Sequence, residues 1–254
     1  MSEDLYIGKW VHPENDSPLA MVGRIGDHDL DSLATYIISL LEIGPTDEVL
    51  DLCCGNGLLT IRIANVAREV TGVDFSQALL LQAQDISSAD NITYLEGDAR
   101  YIGEILPPGK FDKAIISAGF QYFNMQSGFD VLSGLHKVLK PNGRLGILDI
   151  PDRAHMVVHL LRALRRVLIP LNLEDIKRFP TLGLRAAYLK RNVARALGMR
   201  HDSEMGHWWS RGAFYELATK SGFECRVLDQ TPEYASHSYR SYRFDALLSS
   251  SNQK

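Results

Sequence analysis

Apolar and polar positions along this chain follow two alternating periods. Leu30, Leu33, Ala34, Ile37, Ile38 and Leu41 fall on one face of a helix, which Gly44-Pro45 ends. A short apolar run, Glu48–Cys53, then reads as a buried strand and meets Gly55-Asn56-Gly57, after which LLTIRIANVA reads as a helix. The alternation repeats with strands at Glu69–Asp74, Asn91–Glu96, Phe111–Ser117 and Arg144–Ile150 and helices at Gln77–Ser87 and Phe129–Leu139, the last closed by Lys140-Pro141-Asn142-Gly143. Strand alternating with helix predicts an α/β fold, a doubly wound parallel sheet with helices on both faces and right-handed crossovers.

Residues 152–208 interrupt the rhythm with a helical pattern over Arg153–Ile169, Pro170, Pro180 and a second helical stretch over Leu184–Leu197. The scaffold resumes with a helix over Ser210–Ser221, a strand near Phe223–Leu228 and a last alternating strand near Tyr239–Leu248, at hairpin-like spacing. The expected organisation is an N-terminal arm (1–28), a ligand-binding α/β core (29–150), a helical lid insert (151–209) and a C-terminal helix and hairpin completing the core (210–254).

The chain has 254 residues, 45% of them hydrophobic and 23% charged, enough to bury a core without disulfides or metal. Three cysteines, Cys53, Cys54 and Cys225, make neither a disulfide framework nor a four-Cys zinc site, so a cytoplasmic location is expected. No apolar stretch reaches the ~20 residues of a membrane span, and the polar N-terminus is not a signal peptide. Net charge is −4, yet residues 151–211 hold 12 Lys+Arg against 5 Asp+Glu. A basic insert on an acidic body leaves three readings open: a solvated polar face, a wall attracting an anionic acceptor, or peripheral contact with an anionic membrane. His155, His159, Arg162 and Arg166 form that polar stripe, opposite Val157, Leu161, Leu164 and Leu168. His155 and His159 have metal-pair spacing but no third ligand, so no metal is expected.

Candidate chemistry gathers where successive strands end. At Asp51-Leu52-Cys53-Cys54-Gly55-Asn56-Gly57 the glycines let a ligand approach backbone, while Asp51 would repel a pyrophosphate and attract an amino group. Asp74 can accept both hydroxyls of a ribose. Asp98, in Gly97-Asp98-Ala99, could accept from an exocyclic adenine amine, and Ser117-Ala118-Gly119-Phe120 leaves room for a ligand. Open α/β sheets bind ligands at this edge.

The series VLDLCCGNG, VTGVDFS, EGDAR, FDKAIISAG and LKPNGRLGILDIP resembles the class I S-adenosylmethionine-dependent methyltransferases, most closely their small-molecule branch. The resemblance implies a three-layer, Rossmann-like, seven-stranded and mostly parallel sheet with an antiparallel last strand. It implies S-adenosyl-L-methionine as cofactor: Asp51, Cys53, Gly55 and Gly57 at its methionine part, Asp74 at the ribose, Phe75 against adenine, and Asp98 and Ala99 at the adenine edge, with Asn56 and Ser117 as further candidate cofactor contacts. Cys53 stands where the family commonly has its first glycine. Methyl transfer by in-line displacement to a small-molecule acceptor, at oxygen by preference, follows from the resemblance. His207, Tyr122, His155 and Asp149 are candidates for a general base, with His207 first, and Trp208, Trp209, Tyr188 and Phe179 for an apolar acceptor pocket. Nucleic acid is disfavoured as acceptor because Ser117-Ala-Gly-Phe replaces the Asn/Asp-Pro-Pro-Tyr turn and the body is acidic. Two alternatives stay open: a catalytically silent cofactor-binding partner subunit, and a nicotinamide-dependent oxidoreductase, for which the third glycine of G-x-G-x-x-G is missing.

Overall fold

A computed structural model describes residues 27–155, 207–230 and 243–250. The chain forms α1 (Asp27–Leu41), β1 (Glu48–Leu52), α2 (Thr60–Ala64), β2 (Glu69–Asp74), α3 (Gln77–Ile86), β3 (Ile92–Glu96), α4 (Ile102–Ile105), β4 (Phe111–Ser117), α5 (Met125–Val138), β5 (Leu139–Pro151), α6 (Arg211–Lys220), β6 (Phe223–Asp229) and β7 (Arg243–Ser250). The seven strands lie in the order β3-β2-β1-β4-β5-β7-β6. β1 pairs in parallel with β2 and β4, β2 with β3, and β4 with β5, whereas β7 runs antiparallel to both β5 and β6. The expected sheet, with its single antiparallel final strand, is the one observed.

Strand alternation assigns the two faces. Leu50, Ala114, Ile116 and Leu145 pack with Val131, Leu135, Phe214 and Leu217 of α5 and α6, while Val49, Ile115 and Leu148 pack with Leu33, Ile37 and Leu41 of α1 and Ile63 of α2. Each face is thus sealed by a helix layer. Trp209, expected to line an acceptor pocket, is instead fully buried between Phe120 and Phe214. Its place is fixed by backbone: Trp209 N–H donates to Pro151 O and Trp209 O accepts from Arg153 N–H, both at 2.9 Å.

Local chemistry moves several expected boundaries. α5 starts four residues before the expected Phe129, because Asn124 accepts from the N–H groups of Gln126 and Ser127 while Ser127 Oγ accepts from Asn124 N–H, a capping box. α2 is confined to Thr60–Ala64, and β5 begins at Leu139 rather than Arg144. The turn at Ala99–Tyr101 and α4 escape the sequence pattern because they are short, and Asp98 caps the turn by accepting from Arg100 N–H. At the head of the insert, Arg153–His155 is a 3-10 turn. The rest of the expected insert helices, with His159, Arg162, Arg166, Phe179 and Tyr188, lies outside the described residues. No helix among the described residues is long and apolar enough to cross a membrane.

Candidate cofactor crevice and active site

The chain leaves β1 toward β2 and β3 on one side, then crosses back to β4 and β5 on the other. Between β1 and β4 the strand order therefore reverses, which opens a crevice at the carboxyl ends. Asp51, Cys53, Cys54 and Ser117 line its inner end with Leu30 and Leu33 of α1 and Leu59, around a cavity of about 40 Å³. That volume holds a few water-sized groups, so it suits the end of a ligand rather than a whole nucleoside.

The turn after β1 is held from β2. Cys53 and Cys54 both donate backbone N–H to Val73 O (2.8 and 3.1 Å), and Gly55 N–H donates to Asp74 Oδ2 at 2.9 Å. Cys53, Gly55 and Gly57 all have left-handed backbone, with φ of +63°, +58° and +74°. Gly57 has a second reason to lack a side chain. A Cβ there would fall onto the Tyr94 phenol, 2.8 Å from its Cζ, and Tyr94 is itself fixed by donating to Ser87 O at 2.8 Å.

Two carboxylates at this edge are withdrawn from water. Asp51 is 2% exposed and accepts from Thr60 Oγ1 at 2.7 Å. Burial, opposed by the Thr60 bond and reinforced by the charge of Asp74, pushes its carboxyl up to about 7. Asp74 is also buried and shifted upward by burial, although its oxygens accept from Ser76 and Gly55 N–H. No Lys or Arg among the described residues pairs with either. Burying carboxylates without a cation is costly, and a ligand bringing an ammonium and hydroxyl donors would offset that cost. The residues present therefore fit an adenosyl amino acid. They suit a pyrophosphate poorly, which argues against the nicotinamide alternative.

The outer end is more open. Phe75 is 37% exposed and presents an aromatic face, and Ala99 is buried beside the turn at the end of β3. Asp98 is already engaged within the protein: Arg100 clamps both of its oxygens at 2.5–3.0 Å. Burial alone would raise the Asp98 carboxyl, but the Arg100 bonds outweigh it and hold it below the ordinary carboxylate value. An adenine amine would have to share Asp98 with Arg100. Gly119 also differs from expectation, because the space a side chain would take is filled by Cys53, whose Cβ lies 2.9 Å from the ideal Cβ position. Burial raises the Cys53 thiol far above its usual value, so it is no ready nucleophile.

The candidate bases sit around the ends of β4 and β5. Tyr122 lies on the 3-10 turn Phe120–Tyr122. His207 N–H donates to Gln121 O at 2.6 Å, and its ring meets Trp209 edge-on, centroids 4.6 Å apart. Burial and the nearby Arg153 charge lower the His207 pKa, which keeps the imidazole neutral and able to accept a proton. His155 Nδ1 stands 3.7 Å from Asp152 Oδ2, a carboxylate already bonded to Arg211 Nε at 2.7 Å. Among the described residues no cluster of three His, Cys, Asp or Glu could hold a metal ion.

The fourth candidate, Asp149, sits in a polar network whose other members, Asp245, Gln230 and Tyr36, are not among the expected site residues. Asp245 on β7 is fully buried, accepts from Asp149 N–H at 2.9 Å, and has its carboxyl pushed up to about 6 by burial. Gln230 Nε2 donates to both Asp149 and Asp245 at 3.2 Å, and burial with the Asp245 charge raises the Tyr36 phenol to about 12. The signal in the sequence is a lone acid inside the apolar run RFDALL. Thr60 and Tyr94, which brace the cofactor edge, carry no comparable mark.

Residues 49–143 match the family profile described as a methyltransferase domain. The chain is 41% identical over 113 residues to a 2-phytyl-1,4-naphtoquinone methyltransferase of Synechococcus elongatus, covering 42% of this chain and 47% of that protein. It is 33% identical over 127 residues to a demethylmenaquinone methyltransferase of Lactobacillus johnsonii, covering 47% and 50%. The chain thus spans about half the length of the relatives it matches. The solved magnesium protoporphyrin IX methyltransferase of Synechocystis, with bound S-adenosylhomocysteine, shares the fold with a TM-score of 0.52 at 18% identity, over 89% of this chain and 83% of that one. Glycine turn, strand-end acids, sheet order and the match over residues 49–143 agree, and all make this chain similar to the class I S-adenosylmethionine-dependent methyltransferases.

Proposed function

We propose that this protein transfers a methyl group from S-adenosyl-L-methionine to a small-molecule acceptor, at oxygen. One observation carries the reading: the ends of β1 and β2 bury two carboxylates, Asp51 and Asp74, on either side of a left-handed glycine turn and without a cationic partner among the described residues. Bound there, the cofactor supplies an electrophilic methyl group on a sulfonium. Asp51 would hold the ammonium, Gly55, Asn56 and Gly57 the carboxylate end, Asp74 the ribose hydroxyls, Phe75 a face of adenine, and Asp98 with Ala99 its edge. Cys53 and Ser117 would wall the reacting end, keeping water out and the acceptor in line. Alignment of this kind supplies roughly 7–11 kcal/mol of a displacement barrier. Relatives named for naphthoquinone, menaquinone and porphyrin acceptors support a planar ring compound as the acceptor class. The test is transfer of labelled methyl from S-adenosylmethionine to a panel of hydroxylated aromatic compounds by the purified chain. Labelled product supports the reading. Cofactor binding with no transfer to any acceptor favours the silent partner subunit, and failure to bind the cofactor ends the reading.

A further inference from the structure

Among the described residues, five other than glycine have left-handed backbone: Glu42, Cys53, Ala118, Asn142 and Asp149. Glu42 and Asn142 lie at the edge of the sheet away from the crevice, before β1 and at the start of β5. The other three follow one another along the opposite edge, at the carboxyl ends of β1, β4 and β5, with φ of +63°, +56° and +68°. Such backbone costs of order 1–3 kcal/mol at each non-glycine residue and persists only where the surroundings impose it. Cys53 and Ala118 flank the cofactor crevice. Asp149 continues the series one strand further, where an acceptor would lie.

The conformation of Asp149 is imposed by side chains of β7. The β5–β7 register breaks between Ile147 and Ile150. In the gap, Asp149 N–H donates to Asp245 Oδ1 at 2.9 Å and Asp149 O accepts from Arg243 Nη1 at 2.6 Å. The carboxylate so presented is 23% exposed, with one oxygen 3.2 Å from Gln230 Nε2 and the other 3.2 Å from Arg243 Nη1. Arg243 also donates to Gln121 Oε1 at 3.0 Å, and Gln121 Nε2 to Ala118 O at 3.1 Å, so the group is tied to the strand end beside Ser117. Two long neutral or charged contacts leave lone pairs on both oxygens. The Arg243 ion pair touches only one of the two oxygens, at 3.2 Å, so the carboxylate is placed and still able to accept a proton.

We propose that Asp149 is the general base of the reaction and that the acceptor is a neutral phenolic or enolic hydroxyl; this rests on the methyltransferase reading above. The acceptor O–H bond breaks, its electron pair stays on the acceptor oxygen for methylation, and the proton passes to an Asp149 carboxylate oxygen. The neutral acid then returns the proton to solvent through its exposed side. Asp245, Gln230 and Arg243 are positioning residues, and Tyr36 faces Asp245 from α1.

The test uses the full chain with 4-nitrophenol and unsubstituted phenol as probes, comparing wild type with Asp149→Asn and His207→Ala. With S-adenosylhomocysteine bound, the visible absorption of 4-nitrophenolate reports ionisation of the bound probe. A carboxylate beside it disfavours the anion, so the bound probe should ionise at lower pH in Asp149→Asn than in wild type. In turnover, Asp149→Asn should lose about 100-fold or more on phenol and less than about tenfold on 4-nitrophenol under conditions where that probe is already ionised. Unchanged S-adenosylhomocysteine affinity and far-ultraviolet dichroism show that the variant is folded. The proposal is overturned if ionisation of the bound probe does not move, if both phenols lose equally, if His207→Ala shows the selective loss instead, or if neither phenol binds while S-adenosylhomocysteine does. Loss of S-adenosylhomocysteine binding by the wild type would strike the methyltransferase reading itself.

Discussion

Asp51 sits between Thr60 and Asp74 with almost no access to water, and its carboxyl is pushed up to about 7. Only its ionised form pairs with an ammonium. Affinity for S-adenosylhomocysteine should therefore climb as pH rises through about 7 and level off above it. Asp51→Asn should weaken binding about 10- to 100-fold at pH 8, the worth of a charged hydrogen bond, and flatten this pH dependence; calorimetry across pH checks both. Stability runs the opposite way. A carboxyl whose folded-state pKa lies above its unfolded value takes up a proton on folding, so stability without ligand falls as pH rises from about 4 toward 7. At about 1.4 kcal/mol per pKa unit, Asp51→Asn should stabilise the ligand-free protein by roughly 2–4 kcal/mol at pH 8, seen as a higher melting temperature. The candidate acids were legible in the sequence because each stands beside a glycine or at the end of an apolar run. Their burial and the Asp98–Arg100 clamp were not, since both depend on what folds over them.

The elements that shape the crevice are strand–turn units whose close approaches come in pairs. Cys53 and Gly119 are one pair, on the turns after β1 and β4: the side chain present in one fills the space absent from the other. Gly119→Ala should cost about 1–3 kcal/mol of stability through overpacking and weaken S-adenosylhomocysteine binding. Adding Cys53→Gly should restore most of both, a coupling that a double-mutant cycle of melts and titrations measures. Gly57 and Tyr94 are the second pair, and Gly57→Ala should be worse because backbone strain adds to the clash. The sequence showed that glycines stand at these turns. It did not show which neighbours require them, because Tyr94 lies on β3 and Gly119 beyond β4, brought close only by the sheet. Helix and strand identities followed from periodicity, and the displaced ends, such as the start of α5, followed from caps that outweigh periodicity.

Across the whole molecule, the α6-β6-β7 unit is fastened to the central sheet beside β5. β7 pairs with β5, and Arg211 of α6 donates to the buried Asp152 at 2.7 Å, bridges to Asp229 at 2.7 Å and lies over the Phe244 ring at 5.5 Å. Arg211→Ala leaves Asp152 buried without its cation. Allowing for the partial exposure of Arg211, the loss should be about 2–3 kcal/mol, read by denaturant unfolding, with little effect on cofactor affinity, since Asp152 lies outside the β1–β4 crevice. The doubly wound order was legible from alternating periods, whereas the Asp149–Asp245–Arg243 network was not, because its members are almost a hundred residues apart in the chain. The central claim is that the carboxyl ends of β1, β2 and β3 together hold an adenosyl amino acid. Isothermal titration with S-adenosylhomocysteine tests it most directly, comparing wild type with the Asp51→Asn, Asp74→Asn double variant. One site per chain, lost in a double variant that still melts cooperatively, is the result expected. No binding by the wild type, or the same affinity in both proteins, would contradict it.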